Sequence, residues 1–167
     1  MINTLIGIDP GLNGAVSVIN DAGNIEILDA PVIELSKGKG IKREYLDSSM
    51  ASILKSFDPK HTHIFLEKIH SMPGQGVTSM FSMGVGYGLW RGIVAAYELP
   101  LTLVTPQEWK KTMMKGMGKE KAASCYRAQQ LYPDISELLF GPRGGPIDGR
   151  GDSLLIAAYG RLQYGNN

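Results

Sequence analysis

The chain has 167 residues, 43% hydrophobic and 20% charged, and its 17 basic against 16 acidic side chains leave a formal charge of +1. Such a length buries roughly 70% of the unfolded surface in one core without staples, and the lone cysteine, Cys125, excludes an intrachain disulfide framework or a cysteine metal knuckle. Near-neutral charge does not by itself announce a nucleic-acid partner, and the longest apolar region, 85–97, is broken by Arg91 and glycines and is too short to cross about 30 Å of hydrocarbon.

No signal-peptide pattern precedes the first strand, and a single thiol fits a reducing compartment. The expectation is one domain over 1–167, cytoplasmic, with no membrane partner. In chain order, 4–9, 15–20 and 24–29 read as three strands separated by Pro10-Gly11 and by Asp21-Ala22-Gly23-Asn24, an antiparallel meander. Residues 30–42 carry Ser, Gly and Lys without a clear period and read as a loop. Tyr45, Met50, Ile53, Leu54 and Phe57 then recur at helical spacing until Asp58-Pro59. A short buried strand at 63–66 must return through that helix and so lie parallel to a strand of the meander.

After a Pro73-Gly74 loop, a helix of about 17 residues reaches Glu98, with Gly84, Gly88, Gly92 and Ala96 at four-residue spacing. Each helical glycine costs about 1 kcal/mol relative to alanine, so the stripe implies close approach by another element, either the chain's own sheet or a second subunit. A strand at 101–104, a short helix opened by Thr105-Pro106, a helix over 119–131 and a last helix over 150–164 follow. The stretch 132–149 reads as irregular and partly mobile. The fold class is α/β: a five-stranded mixed sheet, an antiparallel meander plus two parallel strands, flanked by helices.

Asp9 and Glu67 fall at the carboxyl ends of the first and fourth strands, the edge where open α/β sheets place ligands. Asp148 and Asp152 are four apart, hence on one helix face about 5 to 6 Å apart at Cβ. Acids at a helix start also offset its dipole, and an Asp after a strand also serves as a turn residue. Gathered together, four carboxylates repel one another unless cations neutralise them, and an all-oxygen set selects Mg²⁺ or Mn²⁺. Two such ions about 3.5 to 4 Å apart can activate water and stabilise the leaving oxygen of a phosphodiester. Lys110, Lys111, Lys115, Lys119, Lys121 and Arg127 form one basic cluster, and Lys37, Lys39, Lys42 and Arg43 another. Each is either a solvated face or a rim for phosphates.

Ile6-Gly7-Ile8-Asp9-Pro10-Gly11, Glu67, Gly86-Tyr87-Gly88-Leu89-Trp90, Pro106-Gln107-Glu108-Trp109-Lys110 and Asp148-Gly149-Arg150-Gly151-Asp152, in this order, resemble the RuvC-type Holliday-junction resolvases, above all the phage and plastid members. The likeness runs from about Leu5 to Arg161 and is weakest at 30–42 and 69–80. It implies an RNase H-like fold and a homodimer in bacterial or phage-infected host cytoplasm. It also implies paired, Mg²⁺-dependent nicking of four-way DNA junctions, with Mn²⁺ as substitute, two ions per site and no nucleotide cofactor. Asp9, Glu67, Asp148 and Asp152 match the family's metal ligands. Lys110 and Lys121 fall where it carries basic residues near the scissile phosphate, Lys121 as transition-state stabiliser, and Lys111 and Lys119 extend that DNA-facing surface.

The late acids are spaced D-x-x-x-D, one residue wider than in many bacterial members, which leaves open which of Asp148 and Asp152 binds metal directly. Where bacterial members often place an aromatic junction wedge this chain has His70, and Met72, Met80 or Phe81 are the apolar alternatives. Competing readings are an RNase H acting on RNA:DNA hybrids, a catalytically silent DNA-binding module, and an actin- or sugar-kinase-like nucleotide-binding protein. For the last, 167 residues leave no room for a second half.

Overall fold

The computed structural model describes residues 1–38, 40–71 and 74–165. Its main sheet has five strands: β1 (Thr4–Ile8), β2 (Ala15–Asn20), β3 (Ile25–Asp29), β6 (Thr62–Glu67) and β7 (Leu101–Val104), in the order β3-β2-β1-β6-β7. β1, β2 and β3 pair antiparallel, whereas β6 joins β1, and β7 joins β6, in parallel. This is the expected mixed sheet.

Side chains alternate across it with period two. Ile6, Ile8, Val16, Val18, Ile64 and Leu66 enter one core with Met50 and Leu54 of α1 (Asp47–Leu54) and Trp90 and Val94 of α2 (Val77–Ala96). Leu5, Ile19 and Phe65 face the other way, into a core built on α3 (Pro106–Met113), α4 (Ala123–Leu131), α5 (Ser136–Leu139) and α6 (Asp148–Gly165). Among the described residues, no helix is long and apolar enough to cross a membrane.

Three expectations need correction. Residues 30–42 are not a loop: β4 (Val32–Lys37) and β5 (Gly40–Tyr45) form a separate hairpin, registered from Val32↔Tyr45 to Lys37↔Gly40. Its apolar side chains Ile33, Leu35 and Ile41 are exposed, so no buried face imprints a period on the sequence. The helix expected from Lys119 begins at Ala123, leaving Lys119 and Lys121 in preceding turns, just after Gly116 at φ +81°. The stretch 132–149 contains a 3-10 turn (Pro133–Ile135), α5 and a bridge between Phe140 and Pro146. Its one fully buried anchor, Leu139, is too little to show as a period.

Close packing of α6 on β1 determines where the late acids go. A Cβ on Gly7 would lie inside van der Waals contact of the Ser153 carbonyl oxygen and the Ala157 amide, so only glycine lets α6 lie so near. Beside it the buried hydroxyls of Ser17 and Ser153 are 2.7 Å apart and satisfy each other. Gly7→Ala is expected to destabilise by about 1 to 3 kcal/mol, the usual cost of overpacking, and to displace α6. Chemical denaturation checks this, and an unchanged midpoint would show that the helix is free to yield.

Candidate active site

Asp9 follows β1 with the parity of Leu5 and Gly7, and Glu67 ends β6 with the parity of Phe65, so both carboxylates project toward α6. The parallel register Ile8↔Leu66, continued by one residue, sets them side by side. Asp148 and Asp152 occupy the first turns of α6. A Cβ on Gly149 would collide with the carbonyl oxygen of Asn13, so this glycine allows the helix to start against the turn that follows Asp9.

The acids also influence one another electrostatically. Asp9 is raised to about 7, first by burial and then by Asp152 and Glu67; the Gly11 amide, 3.1 Å from Asp9 Oδ1, and Lys110 act in the opposite direction. Glu67 is raised by burial and by Asp152, and Asp152 by burial and by Asp148. A hydroxyl bond from Ser124 and the charge of Lys110 oppose the rise at Asp152. Asp148 Oδ2 lies 3.2 Å from Lys121 Nζ, while its Oδ1 is buried without a hydrogen-bond partner among the described residues. A buried orphan acceptor calls for a donor or a cation.

Among the described residues, no three acids draw together into a closed cation cage. The donors are nonetheless all carboxylate oxygens, as Mg²⁺ and Mn²⁺ require, and Asp9, Glu67, Asp148 and Asp152 are the groups that could hold them. Without cations, Asp9, raised to about 7, binds more protons folded than unfolded between about pH 4 and 7, and Glu67 and Asp152, also raised, act in the same direction. Their contribution to stability is therefore complete below pH 4 and is lost as pH rises toward 7. Thermal unfolding in chelator is expected to show that loss, and Mg²⁺ to reverse it; a flat pH response would mean that the acids are not coupled.

Side chains outside the four predicted ligands support the acids. The Nε1 of fully buried Trp109 donates to Glu67 Oε1 at 2.9 Å, satisfying the indole and fixing one oxygen of the acid. Lys110 Nζ stands 5.0 Å from the Trp109 ring centroid, a cation-π contact. α3 reaches this position through a capping box between Thr105 and Glu108. Arg150, inside the D-x-x-x-D segment, grips Asp29 with Nε–Oδ1 at 2.6 Å and a second nitrogen at 2.7 Å from Oδ2, and donates to the Leu138 carbonyl at 2.8 Å. This fork ties the start of α6 to the end of β3 and holds the Asp29 carboxyl below its usual range. The motif showed the tryptophan and the arginine, but only tertiary packing assigns their partners.

The cleft beside Asp148 and Asp152 is about 530 Å³ and is lined by Lys110, Lys119 and Lys121; Asp9 and Glu67 lie outside its lining. Lys111 is exposed on α3. The candidate wedge residues are not brought together: exposed His70 and half-buried Met80 border one small pocket, whereas Phe81, 74% exposed, lies in a different groove beside Ile41 and Val85. Met72 lies outside the described residues. Gly84, Gly88 and Gly92 have open space where a Cβ would stand, so the stripe does not pack on the chain's own sheet.

No family model matches the chain, and no curated protein matches it. Solved structures do. RuvC of T. thermophilus in complex with Holliday junction substrate is 13% identical with a TM-score of 0.58, and the alignment covers 96% of each chain. A second structure of Thermus thermophilus RuvC is 15% identical with a TM-score of 0.52 and the same coverage of both chains. The fold is RuvC-like, that is, RNase H-like α/β.

Proposed function

We propose that this chain is a divalent-cation-dependent endonuclease that resolves four-way DNA junctions, acting as a homodimer that nicks two symmetric strands. The observation that carries this reading is the placement of Asp9 and Glu67 on adjacent parallel strand ends, with Asp152 in the first turns of the helix packed against β1; burial and mutual charge raise all three acids. Asp148 completes the set. The likeness of the fold to a protein seen with a Holliday junction supports four-way DNA as the substrate.

Bound Mg²⁺ or Mn²⁺, two per site, supply activation of the attacking water and charge stabilisation at the leaving 3′ oxygen. The chain's own residues do the rest. Asp9, Glu67, Asp148 and Asp152 hold the cations, with Trp109 fixing one oxygen of Glu67 and leaving the other free to ligate. Lys121, whose Nζ stands 3.2 Å from Asp148 Oδ2, would be the group that balances charge developing on a phosphate bound beside that carboxylate. Lys110 offsets Asp9, Glu67 and Asp152 together, and with Lys111 and Lys119 provides a basic approach for the backbone. The open glycine stripe of α2, with exposed Val77, Phe81 and Val85 on the same helix, supports a two-fold interface that pairs two sites for a two-fold substrate.

Incubation with a four-way junction, a flap, a linear duplex and an RNA:DNA hybrid in parallel tests the proposal. The expected result is paired nicks, with 5′-phosphate and 3′-hydroxyl ends, in the junction alone, with Mg²⁺ or Mn²⁺ and not in chelator. Preferential cutting of the hybrid would assign an RNase H instead, and junction binding without cutting a silent binding module.

A further inference from the structure

The turn after Asp9 is held from outside the main sheet. Within the turn, the Gly14 amide donates to the Gly11 carbonyl at 2.9 Å, and the Gly11 amide donates to Asp9 Oδ1. The carbonyls of Pro10 and Leu12 still need donors, and both find them on β5. The Tyr45 hydroxyl donates to the Pro10 carbonyl at 3.1 Å. The Arg43 guanidinium donates through one nitrogen to the Leu12 carbonyl at 3.1 Å and through the other to Asn13 Oδ1. A fork that engages two acceptors on adjacent residues fixes orientation as well as position.

The third member of the lock is Gly86 of α2. A Cβ there would collide with Cζ and the hydroxyl of Tyr45 and lie 2.7 Å from the Pro10 oxygen. Gly86 is buried, unlike the open Gly84, Gly88 and Gly92, so it forms the notch that seats the phenol against the turn. Hairpin, catalytic turn and α2 therefore meet at one point.

Resting on the functional reading above, we infer that Arg43 and Tyr45 are positioning residues of the active site: the β4–β5 hairpin clamps the Pro10–Asn13 turn and thereby sets the direction of the Asp9 carboxylate. Asp9 Oδ1 accepts from the amide of Gly11, which lies between the two clamped carbonyls, so a shift of the turn rotates the carboxylate with it. Groups that orient a ligating carboxylate act on metal affinity by about 10- to 100-fold without touching the ion. The hairpin thus has a task that its exposed surface does not disclose.

The test is Mn²⁺ binding by calorimetry to the full chain, alongside junction nicking over a range of Mn²⁺ concentrations. Tyr45→Phe keeps the ring in its notch and removes one hydrogen bond; Arg43→Lys keeps the charge and removes the fork. Both are expected to weaken Mn²⁺ binding by about tenfold with circular dichroism unchanged, and to restore much of the nicking rate at saturating metal. Gly86→Ala, which pushes the phenol off Pro10, is expected to act in the same direction. Folded variants with wild-type Mn²⁺ affinity would overturn the clamp, as would a wild-type chain that binds no Mn²⁺. Weakened Mn²⁺ binding in the variants of a wild-type chain that cuts no junction would uphold the clamp and overturn the nuclease reading.

Discussion

Asp9→Asn lowers Mg²⁺-dependent nicking of a four-way junction by about a thousandfold or more and leaves junction binding in place. The substitution preserves shape: the Asn Oδ1 still accepts from the Gly11 amide that meets Asp9 Oδ1 at 3.1 Å. What disappears is the charge. Without cations, Asp9 is so desolvated and so crowded by Asp152 and Glu67 that it holds its proton up to about 7, so the asparagine should stabilise the ion-free protein at neutral pH. Removing a negative group beside phosphate should leave DNA affinity unchanged or tighter. The chemical step, by contrast, loses an essential electrostatic element, for which factors of about 10² to 10³ are common even where a single neutral donor is removed. Single-turnover nicking and fluorescence anisotropy separate the two quantities, and wild-type nicking by the variant would end the assignment.

Gly88→Leu is expected to convert the proposed homodimer to a monomer. Gly88 lies in the middle of the open row Gly84, Gly88, Gly92, where a leucine meets nothing of its own chain. A glycine inside a helix costs about 1 kcal/mol and the leucine meets nothing of its own chain, so the variant should keep its fold, checked by circular dichroism. A loss of dimer therefore cannot be attributed to loss of fold. Paired nicks should become independent single nicks, because the two-fold relation of the sites is gone. Light scattering reports the mass, and an unaltered dimer would remove α2 from the interface.

Apolar runs were sufficient for the buried elements. The meander, the parallel returns of β6 and β7, and the position of Asp9 and Glu67 at the strand ends follow from short apolar runs bounded by turn residues and from crossover rules. The β4–β5 hairpin was hidden because both its faces are largely solvent-facing, and the clamp at its base depends on contacts across some thirty residues of sequence. Trp109 and Ser124 could not be assigned from the motif either. A tryptophan in a helix looks like core, and only its buried nitrogen, aimed at Glu67, reveals its role in orientation. The glycine pattern divides similarly: the visible four-residue stripe stands open, while Gly86, between two of its members, makes the contact within the chain.

The lysines differ in what each confronts. Lys121, the sequence-based choice for transition-state stabilisation, pairs with Asp148, whereas Lys110 offsets Asp9, Glu67 and Asp152 at once. In the proposed mechanism the two are complementary, Lys110 balancing the acid cluster and Lys121 standing beside Asp148.

The most direct measurement is anomalous diffraction from crystals of the protein soaked in Mn²⁺. Peaks are expected within the cleft bounded by Asp9, Glu67 and the start of α6, with the carboxylates of residues 9, 67 and 152 closing around them and Asp148 Oδ1 no longer without a partner. A fully soaked crystal with no peak there, or with manganese only at unrelated surface acids, would contradict the claim that these side chains share a cation.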